Sequence, residues 1–554
     1  MTTGRLGTFL GSLRGQILLF LCGIALVAPW GNFPLNDDWS YARVVDGLVN
    51  RGVIDVAQGW ASMTLMSVVA WGTVFTRAFG FSHVVLRLST VMAALISIWL
   101  MSRLLTQRGG TRDEVNTATA LMLANPVFFC LSLTFMTDVP FLMFALLATL
   151  LCVNALVSDR AADYVLFLVA LLVAMMARQF AVLIAAAFGA AYIFTRSFTV
   201  RNLLRAGLPF LLCVALYALH QQVLFPVFGF PNLRSVYVDQ AAGRFSDPIH
   251  LIVLYFARSA VGLLLTLGLY LSPFLILRVR SFRDVVGFTR TGQAITLAWM
   301  GLVVAVLVQG QRLMPLVRNV VYDFGVGPPR LMDVLPGGTQ VYADAPALMW
   351  VVVTLFSCVA SCVLLHQIIG AVVTVYRNWR QRADAAPIQL FALFYCAAYL
   401  VVIVVVSFFD RFLIALMPIL LLLLISTGAP SVQSSRWQIG GAVALAVVLF
   451  VFSVAGTHDY HAWNRARWTA LDRLSESMQI SPMQIDGGIE FNGTHTYATD
   501  YQRSPDKSWW WVIDDRYAVT FGPVDGYDVI GEEPFRTWLP WCNSSSIKMV
   551  AKRN

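Results

Sequence analysis

The chain is poor in charged residues. Asp, Glu, Lys and Arg together make up 12% of its 554 residues, whereas soluble domains contain about 25%. Lysine is the scarcest of the four, and its three copies, Lys507, Lys548 and Lys552, all lie close to the C-terminus. This shortage excludes a protein that is soluble along its whole length, and a hydrophobic content of 58% indicates a polytopic membrane protein.

Cysteine indicates neither a metal site nor a disulfide framework. Seven of the eight cysteines, from Cys22 to Cys396, fall in predicted membrane spans, and Cys542 stands alone in the C-terminal part. None of them has the spacing of a zinc site. The net charge of +9 comes mainly from arginines in loops between spans, so it reports orientation in the membrane and not nucleic-acid binding.

Thirteen apolar segments are predicted to cross the membrane. They are residues 16–30, 84–105, 118–133, 140–156, 164–177, 180–194, 206–225, 251–277, 294–309, 347–375, 388–408, 412–425 and 439–454. The first lacks a small-residue cleavage site, so it is predicted to be a retained span. Several are shorter than the roughly 20 residues that a helix needs to cross about 30 Å of hydrocarbon, so residues 164–194 fit either one helix or two.

Arginine distinguishes these two readings. With thirteen spans and a cytoplasmic N-terminus, the loops that contain Arg103, Arg201 and Arg377 all fall on the cytoplasmic side, as the positive-inside rule requires. A single merged span would place the Arg201 loop opposite the Arg103 loop. The sequence therefore predicts a tight outer turn at Arg178-Gln179 and a C-terminus outside the cytoplasm.

Ionisable and polar residues recur at the predicted outer ends of the spans. The residues that directly follow or precede a span at the outer membrane surface are Asp37, Asp38, Asp138, Arg178, Gln179, Asp410 and Arg411. Charges at membrane depth are costly and usually face a protein interior or a water-filled cavity. We therefore predict one charged cavity that opens outward.

Plainer roles are open for the same residues. Asp37 and Asp38 could form a polar collar that ends a helix, and Asp138 could cap the fourth span. Asp410 could simply neutralise Arg411, and Arg178 could reach the headgroups from a helix end. Four further residues are assigned ordinary interfacial positions: His83, Arg87, Arg234 and Arg258.

Two outer loops are unusually long. The first, residues 31–83, has apolar residues at helical spacing over residues 41–49 and 60–79, which predicts two helices along the membrane surface. The second, residues 310–346, contains Gly-Pro-Pro at 327–329 and Pro-Gly-Gly at 336–338. A turn-rich loop of that length is typical of a lid or a binding loop.

The composition changes after residue 455. Residues 456–554 alternate turn signals with aromatic and β-branched runs, which predicts a soluble α/β domain. One such run is Trp509-Trp510-Trp511; in a strand, Trp510 would face opposite its two neighbours. Core packing of at least one face is favoured over stacking on a sugar.

The motifs and their order resemble a known family. An acidic pair follows the first span, and a Gly80-Phe-Ser-His-Val-Val-Leu-Arg87-Leu-Ser segment, a Thr137-Asp138-Val139-Pro140 element and an Asp410-Arg411-Phe412-Leu413 element with Pro418 come later. Over about residues 1–455 this pattern is similar to the GT-C glycosyltransferases. The likeness is greatest to the dolichyl-phosphate-mannose protein mannosyltransferase and aminoarabinose transferase branch, of the glycosyltransferase family 39 type. Phe412 departs from that branch, which usually has Tyr there.

This resemblance implies a fold and a reaction. The expected fold is a GT-C bundle of about thirteen transmembrane helices, with surface helices in the first outer loop and a small C-terminal α/β domain. The expected reaction transfers a sugar from a polyprenyl-phosphate donor to a glycan, lipid or protein acceptor outside the cytoplasm. The expected location of the protein is the plasma (inner) membrane of a bacterium. The absence of a phosphate-binding glycine loop or a Rossmann fingerprint argues against direct use of soluble nucleotide sugars.

Residue roles follow from the resemblance. Asp37 or Asp38 is expected to be the general base, with Asp37 favoured. Arg178 and Arg411 are expected to bind the lipid phosphate. Asp138, Gln179 and Asp410 are placed in the same substrate-binding region.

The sequence leaves alternatives open for the cofactor and for the class of function. No cofactor is assigned, although a divalent cation on Asp37, Asp38 and Asp138 is open because such ions prefer oxygen ligands. A transporter or lipid flippase is the main alternative function; it should show internal repeats with broken helices, and none is apparent. A polysaccharide ligase or polymerase would carry its distinctive loop late in the chain.

Overall fold

The computed structural model describes residues 11–232, 242–314, 317, 319–321, 330–335, 338–406, 409–428, 434–502, 504, 507–508 and 510–553. Three features singled out in the sequence lie outside these residues: Arg234, Trp509 and the Gly-Pro-Pro at 327–329. Pro336 and Gly337 of the second turn motif are also outside them.

The described part is mainly helical. The helices before the second long loop are α1 (Leu13–Val27), α2 (Asp38–Asp46), α3 (Met66–Phe79), α4 (His83–Gln107), α5 (Arg112–Ala124), α6 (Pro126–Leu131), α7 (Asp138–Ser158), α8 (Ala161–Met175), α9 (Val182–Thr195), α10 (Val200–Leu219), α11 (Phe225–Phe228), α12 (Ile249–Leu275), α13 (Arg283–Val286) and α14 (Arg290–Gly310). After that loop come α15 (Ala347–Arg380), α16 (Ala386–Val406), α17 (Leu413–Thr427), α18 (Arg436–Asp472) and α19 (Ile489–Thr496).

Short turns and two sheets complete the described elements. Single π-helical turns are Gly47–Arg51, His220–Leu224 and Arg473–Ser477, and 3₁₀ turns are Gln179–Ala181, Ile276–Arg278, Asp410–Phe412 and Pro482–Gln484. The strands are β1 (Arg330–Leu335), β2 (Gly338–Asp344), β3 (Ile485–Asp486), β4 (Tyr517–Thr520), β5 (Tyr527–Pro534) and β6 (Ser546–Lys552). β1 and β2 form an antiparallel hairpin, and the C-terminal sheet has the order β3-β4-β6-β5.

The protein is an integral membrane protein. Nine helices of the described residues are long and apolar enough to cross a membrane, and α1, α8 and the Gln179–Thr195 helix are shorter apolar helices. The predicted span at 118–133 is not one helix. Asn125 ends α5, and its side chain accepts hydrogen bonds from the backbone N–H groups of Val127 and Phe128 to begin α6 at Pro126. The number thirteen stays a prediction.

The chain reverses at Arg178-Gln179. The rings of Phe167 in α8 and Phe188 in α9 lie 4.9 Å apart, whereas a single straight helix would separate these residues by about 30 Å. Residues 164–194 therefore form a helical hairpin, as the arginine distribution predicts.

Charged residues separate to two ends of the bundle. Asp159 pairs with Arg205 at 2.7 Å and Glu114 with Arg278 at 2.5 Å, and all four residues belong to loops predicted to be cytoplasmic. The opposite end carries Asp37, Asp38, Asp138, Arg178 and Arg411, and we call it the outer end.

Helix α17 lies at the centre of the bundle. Every residue from Leu413 to Ile425 is buried, which agrees with a sequence that is apolar on all sides. Because the Asp410–Phe412 turn precedes α17 directly, Asp410 and Arg411 are held in the middle of the outer end and not at its edge.

The first outer loop contains the two expected helices, α2 and α3. Helix α2 does not lie exposed on a surface, because Trp39, Tyr41, Val44 and Val45 are all buried. It is covered in part by the C-terminal α19: a Cβ on Gly493 would come within 2.5 Å of the Trp39 ring. Only glycine therefore allows this approach of the two helices.

The C-terminal domain is a small α/β structure, as predicted. Helix α18 has 37 residues and continues through the predicted domain boundary at 455/456. The prediction of a strand at Trp509–Trp511 is wrong for the two residues that the structure describes. Residues 510 and 511 form a bend, and Trp511 has a φ of +54°. Trp511 is nevertheless buried, so core packing governs this residue.

Candidate active site

Asp38 is bonded entirely to the backbone. Its Oδ1 accepts a hydrogen bond from the N–H of Leu35 at 2.5 Å, and its Oδ2 accepts one from the N–H of Phe135 at 3.1 Å. The residue is 1% exposed, and burial raises the pKa of its carboxyl to about 7. Asp38 therefore joins the first outer loop to the loop before α7, and each of its two oxygens already accepts a backbone hydrogen bond.

Asp37 has a different environment although it is the adjacent residue. Its Oδ1 accepts a hydrogen bond from Trp60 Nε1 at 3.1 Å, and its Oδ2 lies 3.5 Å from Arg411 Nη1. The side chain is 18% exposed. Burial raises the pKa of the Asp37 carboxyl, and Arg411 and Trp60 oppose that rise. Asp37 thus combines a partly exposed side chain with a cation next to it.

Asp138 and Arg178 form a buried ion pair. Asp138 Oδ1 contacts Arg178 Nη1, and the two side chains are 1% and 7% exposed. Asp138 Oδ2 has no hydrogen-bond partner among the described residues. Asp138 is the first residue of α7 and no side-chain cap is formed there, so its main partner is Arg178 and capping is not its role. Arg178 is buried and does not reach the headgroups.

Aromatic rings surround the Arg178 guanidinium. Its Cζ lies 5.3 Å from the ring centre of Phe412 and 5.9 Å from those of Phe141 and Phe180. Such contacts offset part of the cost of removing a cation from water. The neighbouring Gln179 donates from Nε2 to the carbonyl of Ser62 at 3.0 Å, so the tip of the α8–α9 hairpin is attached to the first outer loop.

Asp410 and Arg411 do not neutralise each other through a direct ion pair. The carboxylate of Asp410 accepts hydrogen bonds from the N–H groups of Val320 and Val321 at 2.8 to 2.9 Å. Arg411 instead faces Asp37, with its Cζ 5.3 Å from the ring of Phe409. Asp410 therefore anchors the second long loop, and Arg411 is the cation nearest to Asp37 in the described part of the chain.

Replacing Asp410 by alanine is expected to release this anchor. The hydrogen bonds to its carboxylate are charge-assisted, and losing them should cost about 1.5–3 kcal/mol locally. Hydrogen exchange of the peptide containing Val320 and Val321 should become faster. Asp344→Ala, at the far end of the same loop, is the matched control, and equal exchange in the two variants would contradict the anchoring role.

Tyr41 is a site residue that sequence reasoning passed over. It is buried on α2, and burial raises the pKa of its hydroxyl well above the usual range. The charges of Asp37, Arg411, Arg178 and Asp138 also act on the Tyr41 hydroxyl, so its proton affinity depends on the charges of the candidate site. Its position three residues after Asp38, on one turn of α2, is the signal that could have identified it.

Arg87 differs from its expected interfacial position. It is buried, and it donates to the carbonyls of Pro29 and Gly31, each at 2.9 Å, and to that of Phe33. These contacts fix the segment between α1 and Asp37. Arg258, by contrast, pairs with Gln309 at an exposed position.

The donor set does not fit a resident metal ion. Asp37 faces Arg411, Asp138 faces Arg178, and both oxygens of Asp38 accept backbone hydrogen bonds. No group of three or more His, Cys, Asp or Glu side chains in the described ranges could hold a metal. We therefore assign no divalent cation to Asp37, Asp38 and Asp138.

Part of the chain is similar to a known protein family. Residues 67–224, from α3 to the end of the His220–Leu224 turn, match the sequence profile of the dolichyl-phosphate-mannose-protein mannosyltransferases. This similarity covers less than a third of the chain and supports a GT-C glycosyltransferase fold. The matched stretch contains Asp138, Arg178 and Gln179, whereas Asp37, Asp38, Asp410 and Arg411 lie outside it.

Two solved structures align with almost the whole chain, at low similarity. Two crystal structures of ArnT from Cupriavidus metallidurans, one in the apo state and one bound to undecaprenyl phosphate, align over 97% of this chain and 98% of theirs. Each is 12% identical in sequence, and the TM-scores are 0.38 and 0.39. Likeness at this level carries no information about ligands or residue roles. No curated protein sequence matches the chain.

Proposed function

We propose that the protein transfers a sugar from a polyprenyl-phosphate donor to an acceptor at its outer end, with Asp37 as general base. The observation that carries this proposal is the contrast among the four site carboxylates. The Asp37 side chain is 18% exposed, whereas Asp38, Asp138 and Asp410 are buried. The match of residues 67–224 to a glycosyltransferase family supports the same reaction class.

The reaction needs a base and a cation. The acceptor hydroxyl oxygen forms a bond to the anomeric carbon while its proton passes to Asp37. For this transfer, a carboxylate oxygen of Asp37 must lie within about 3 Å of the hydroxyl oxygen. The bond between the anomeric carbon and the phosphate oxygen breaks, and the electron pair leaves with the polyprenyl phosphate. Positive charge near that oxygen stabilises the leaving group.

Arg411 is the proposed phosphate ligand. Arg411 Nη1 lies 3.5 Å from Asp37 Oδ2, which is longer than the N–O distance of a strong ion pair. The guanidinium also suits bidentate contact with a phosphate. Arg178 is less suited because Asp138 already neutralises it in a buried pair. We assign Arg178 and Asp138 to holding the hairpin tip beside Arg411.

The location of the charges also bears on the transporter alternative. A transporter is expected to bind its substrate near the middle of the membrane at broken helices. Asp138, Arg178, Asp410 and Arg411 instead lie where helices begin or end, all at the outer end. On this proposal the outer end faces the extracytoplasmic side, where lipid-linked sugars would be used.

The test is a transfer assay with the full-length protein in lipid vesicles. Polyprenyl-phosphate sugars extracted from the source membranes would be supplied as donors, and release of polyprenyl phosphate would be followed by mass spectrometry. Release that depends on the protein and on an acceptor extract is the expected result. If the donors stay intact, or if they cross the bilayer unchanged, the glycosyltransferase proposal is wrong.

Trp60→Phe should shift the pH dependence of transfer. The indole N–H stabilises the charged form of Asp37, so its loss raises the pKa of that carboxyl further. The base is then protonated at higher pH, so the acidic limb of the pH–rate profile should move to higher pH. Trp71→Phe is the control, because the Trp71 indole donates to the carbonyl of Ser89 instead. Superimposed profiles for the two variants would refute the role of Trp60.

A further inference from the structure

The segment that carries Asp37 is held in an unusual backbone conformation. Asn36, the residue before Asp37, has a φ of +56°, a region that non-glycine residues rarely adopt and that asparagine tolerates better than most. Such a conformation persists when surrounding contacts enforce it. The contacts to the residues on either side of Asn36 therefore bear directly on where the Asp37 carboxylate points.

One of these contacts comes from the C-terminal domain. Glu490, in α19, accepts a hydrogen bond from the backbone N–H of Asn36 at 2.8 Å through its Oε1. Its Oε2 contacts Arg467 Nη2 at 2.6 Å. The side chains of Glu490 and Arg467 are both largely buried. Arg467 of α18 therefore orients Glu490 toward Asn36, the residue before Asp37.

Helix α18 contacts the same segment at two earlier points. Arg465 Nη1 donates to the carbonyl of Ala28 at 2.7 Å. The ring of Trp468 stacks on that of Phe33 at 6.1 Å with an interplanar angle of 10°. Residues 28–36 are therefore attached along their length to the helix that leads into the C-terminal domain.

A second route from this domain reaches the Asp37 side chain. Trp60, which donates to Asp37 Oδ1, packs edge to face against Trp510 at 5.2 Å and Trp511 at 5.0 Å. Tyr497 contacts Trp511 at 5.1 Å, and its hydroxyl donates to the carbonyl of Gln58 in the same outer loop. The domain thus fixes both the backbone before Asp37 and the hydrogen-bond donor to its carboxylate.

We propose that Glu490 and Trp511 of the C-terminal domain are positioning residues that orient the base Asp37. This inference rests on the proposed function for its catalytic consequence and gives the C-terminal domain a role in the reaction. A displacement of about 1 Å at a reacting group can cost on the order of 100-fold in rate. Loss of either contact therefore acts on turnover and leaves donor binding by Arg411 in place.

The first test uses matched glutamates of the same domain. Glu490→Ala should lower kcat about 10- to 100-fold, with KM for the donor within about twofold of wild type. Glu490→Gln keeps an oxygen that can accept from Asn36 but turns its amide NH2 toward Arg467, so it should recover part of the rate. Glu533→Ala is the control, since Glu533 pairs with Arg473 on the exposed side of the domain at 3.2 Å.

The second test does not require activity. Hydrogen exchange of a peptide that spans residues 29–38 should become faster in Glu490→Ala than in Glu533→Ala, because only the former releases the Asn36 N–H. Trp511→Leu, which leaves Glu490 intact, should instead move the acidic limb of the pH–rate profile in the direction expected for Trp60→Phe.

The outcomes separate this inference from the proposed function. Unchanged exchange over residues 29–38 in Glu490→Ala overturns the inference, as does unchanged kcat per folded molecule in both Glu490→Ala and Trp511→Leu. A wild-type protein that releases no polyprenyl phosphate refutes the proposed function, while the exchange experiment still decides whether Glu490 holds the Asp37 segment.

Discussion

Asp37→Asn is expected to abolish sugar transfer and to leave a folded protein. Asparagine has nearly the same shape as aspartate and can still accept a hydrogen bond from Trp60, but it cannot take the acceptor proton. Loss of a general base lowers rates by about 10²- to 10⁴-fold. Release of polyprenyl phosphate per folded molecule is the measurement, with folding checked by size-exclusion chromatography and thermal unfolding.

Two controls make this result specific. Asp46 lies on the same helix, is partly buried and accepts a hydrogen bond from Asn50, so Asp46→Asn should keep wild-type turnover. Asp38→Asn should behave differently from both, because its amide group would face a backbone N–H of Leu35 or Phe135 and the loop should lose stability. Normal turnover in Asp37→Asn would show that the base has been assigned to the wrong residue.

Arg178→Met is expected to cause a large loss of stability. It leaves the Asp138 carboxylate buried without a cation, and breaking a buried pair in this way costs about 3–5 kcal/mol. The double variant Arg178→Met, Asp138→Asn removes the uncompensated charge and should recover most of that loss. Thermal or denaturant unfolding in detergent would be compared among the three proteins.

An exposed pair at the other end of the bundle is the control. Arg205 and Asp159 lie 2.7 Å apart, but the Asp159 side chain is 44% exposed. Exposed pairs contribute about 1 kcal/mol or less, so Arg205→Met should change stability little. Equal losses in Arg178→Met and Arg205→Met would contradict the buried character of the Asp138–Arg178 pair.

Much of the membrane part could be predicted because its determinants are local. Apolar length identifies a span, and arginine placement correctly separated α8 from α9 at Arg178. The span predicted at 118–133 was wrong because the Asn125 side chain begins a new helix at Pro126, which an apolar pattern does not reveal. The strand predicted at Trp509–Trp511 was wrong at residues 510 and 511, because packing of Trp511 against Trp39 and Trp60 overrides β propensity.

The clustering of these charged residues at one end of the bundle could be predicted, but the pairing among them could not. The sequence grouped Asp37, Asp38, Asp138 and Arg411 by depth alone. It could not distinguish Asp37 from Asp38, because their difference depends on backbone N–H groups, one of which lies 97 residues away in Phe135. The contact between Asn36 and Glu490 spans 454 residues, so no local pattern could have indicated it.

The most direct test of the central claim is the lipid-linked sugar content of cells that lack the protein. Lipids extracted from such cells would be analysed by mass spectrometry, with wild-type, Asp37→Asn or Asp46→Asn protein expressed in the same strain. We predict that one polyprenyl-phosphate sugar accumulates without the protein, disappears with the wild-type or Asp46→Asn protein, and persists with Asp37→Asn. Disappearance with Asp37→Asn as well, or no accumulation in the deletion strain, would contradict the account.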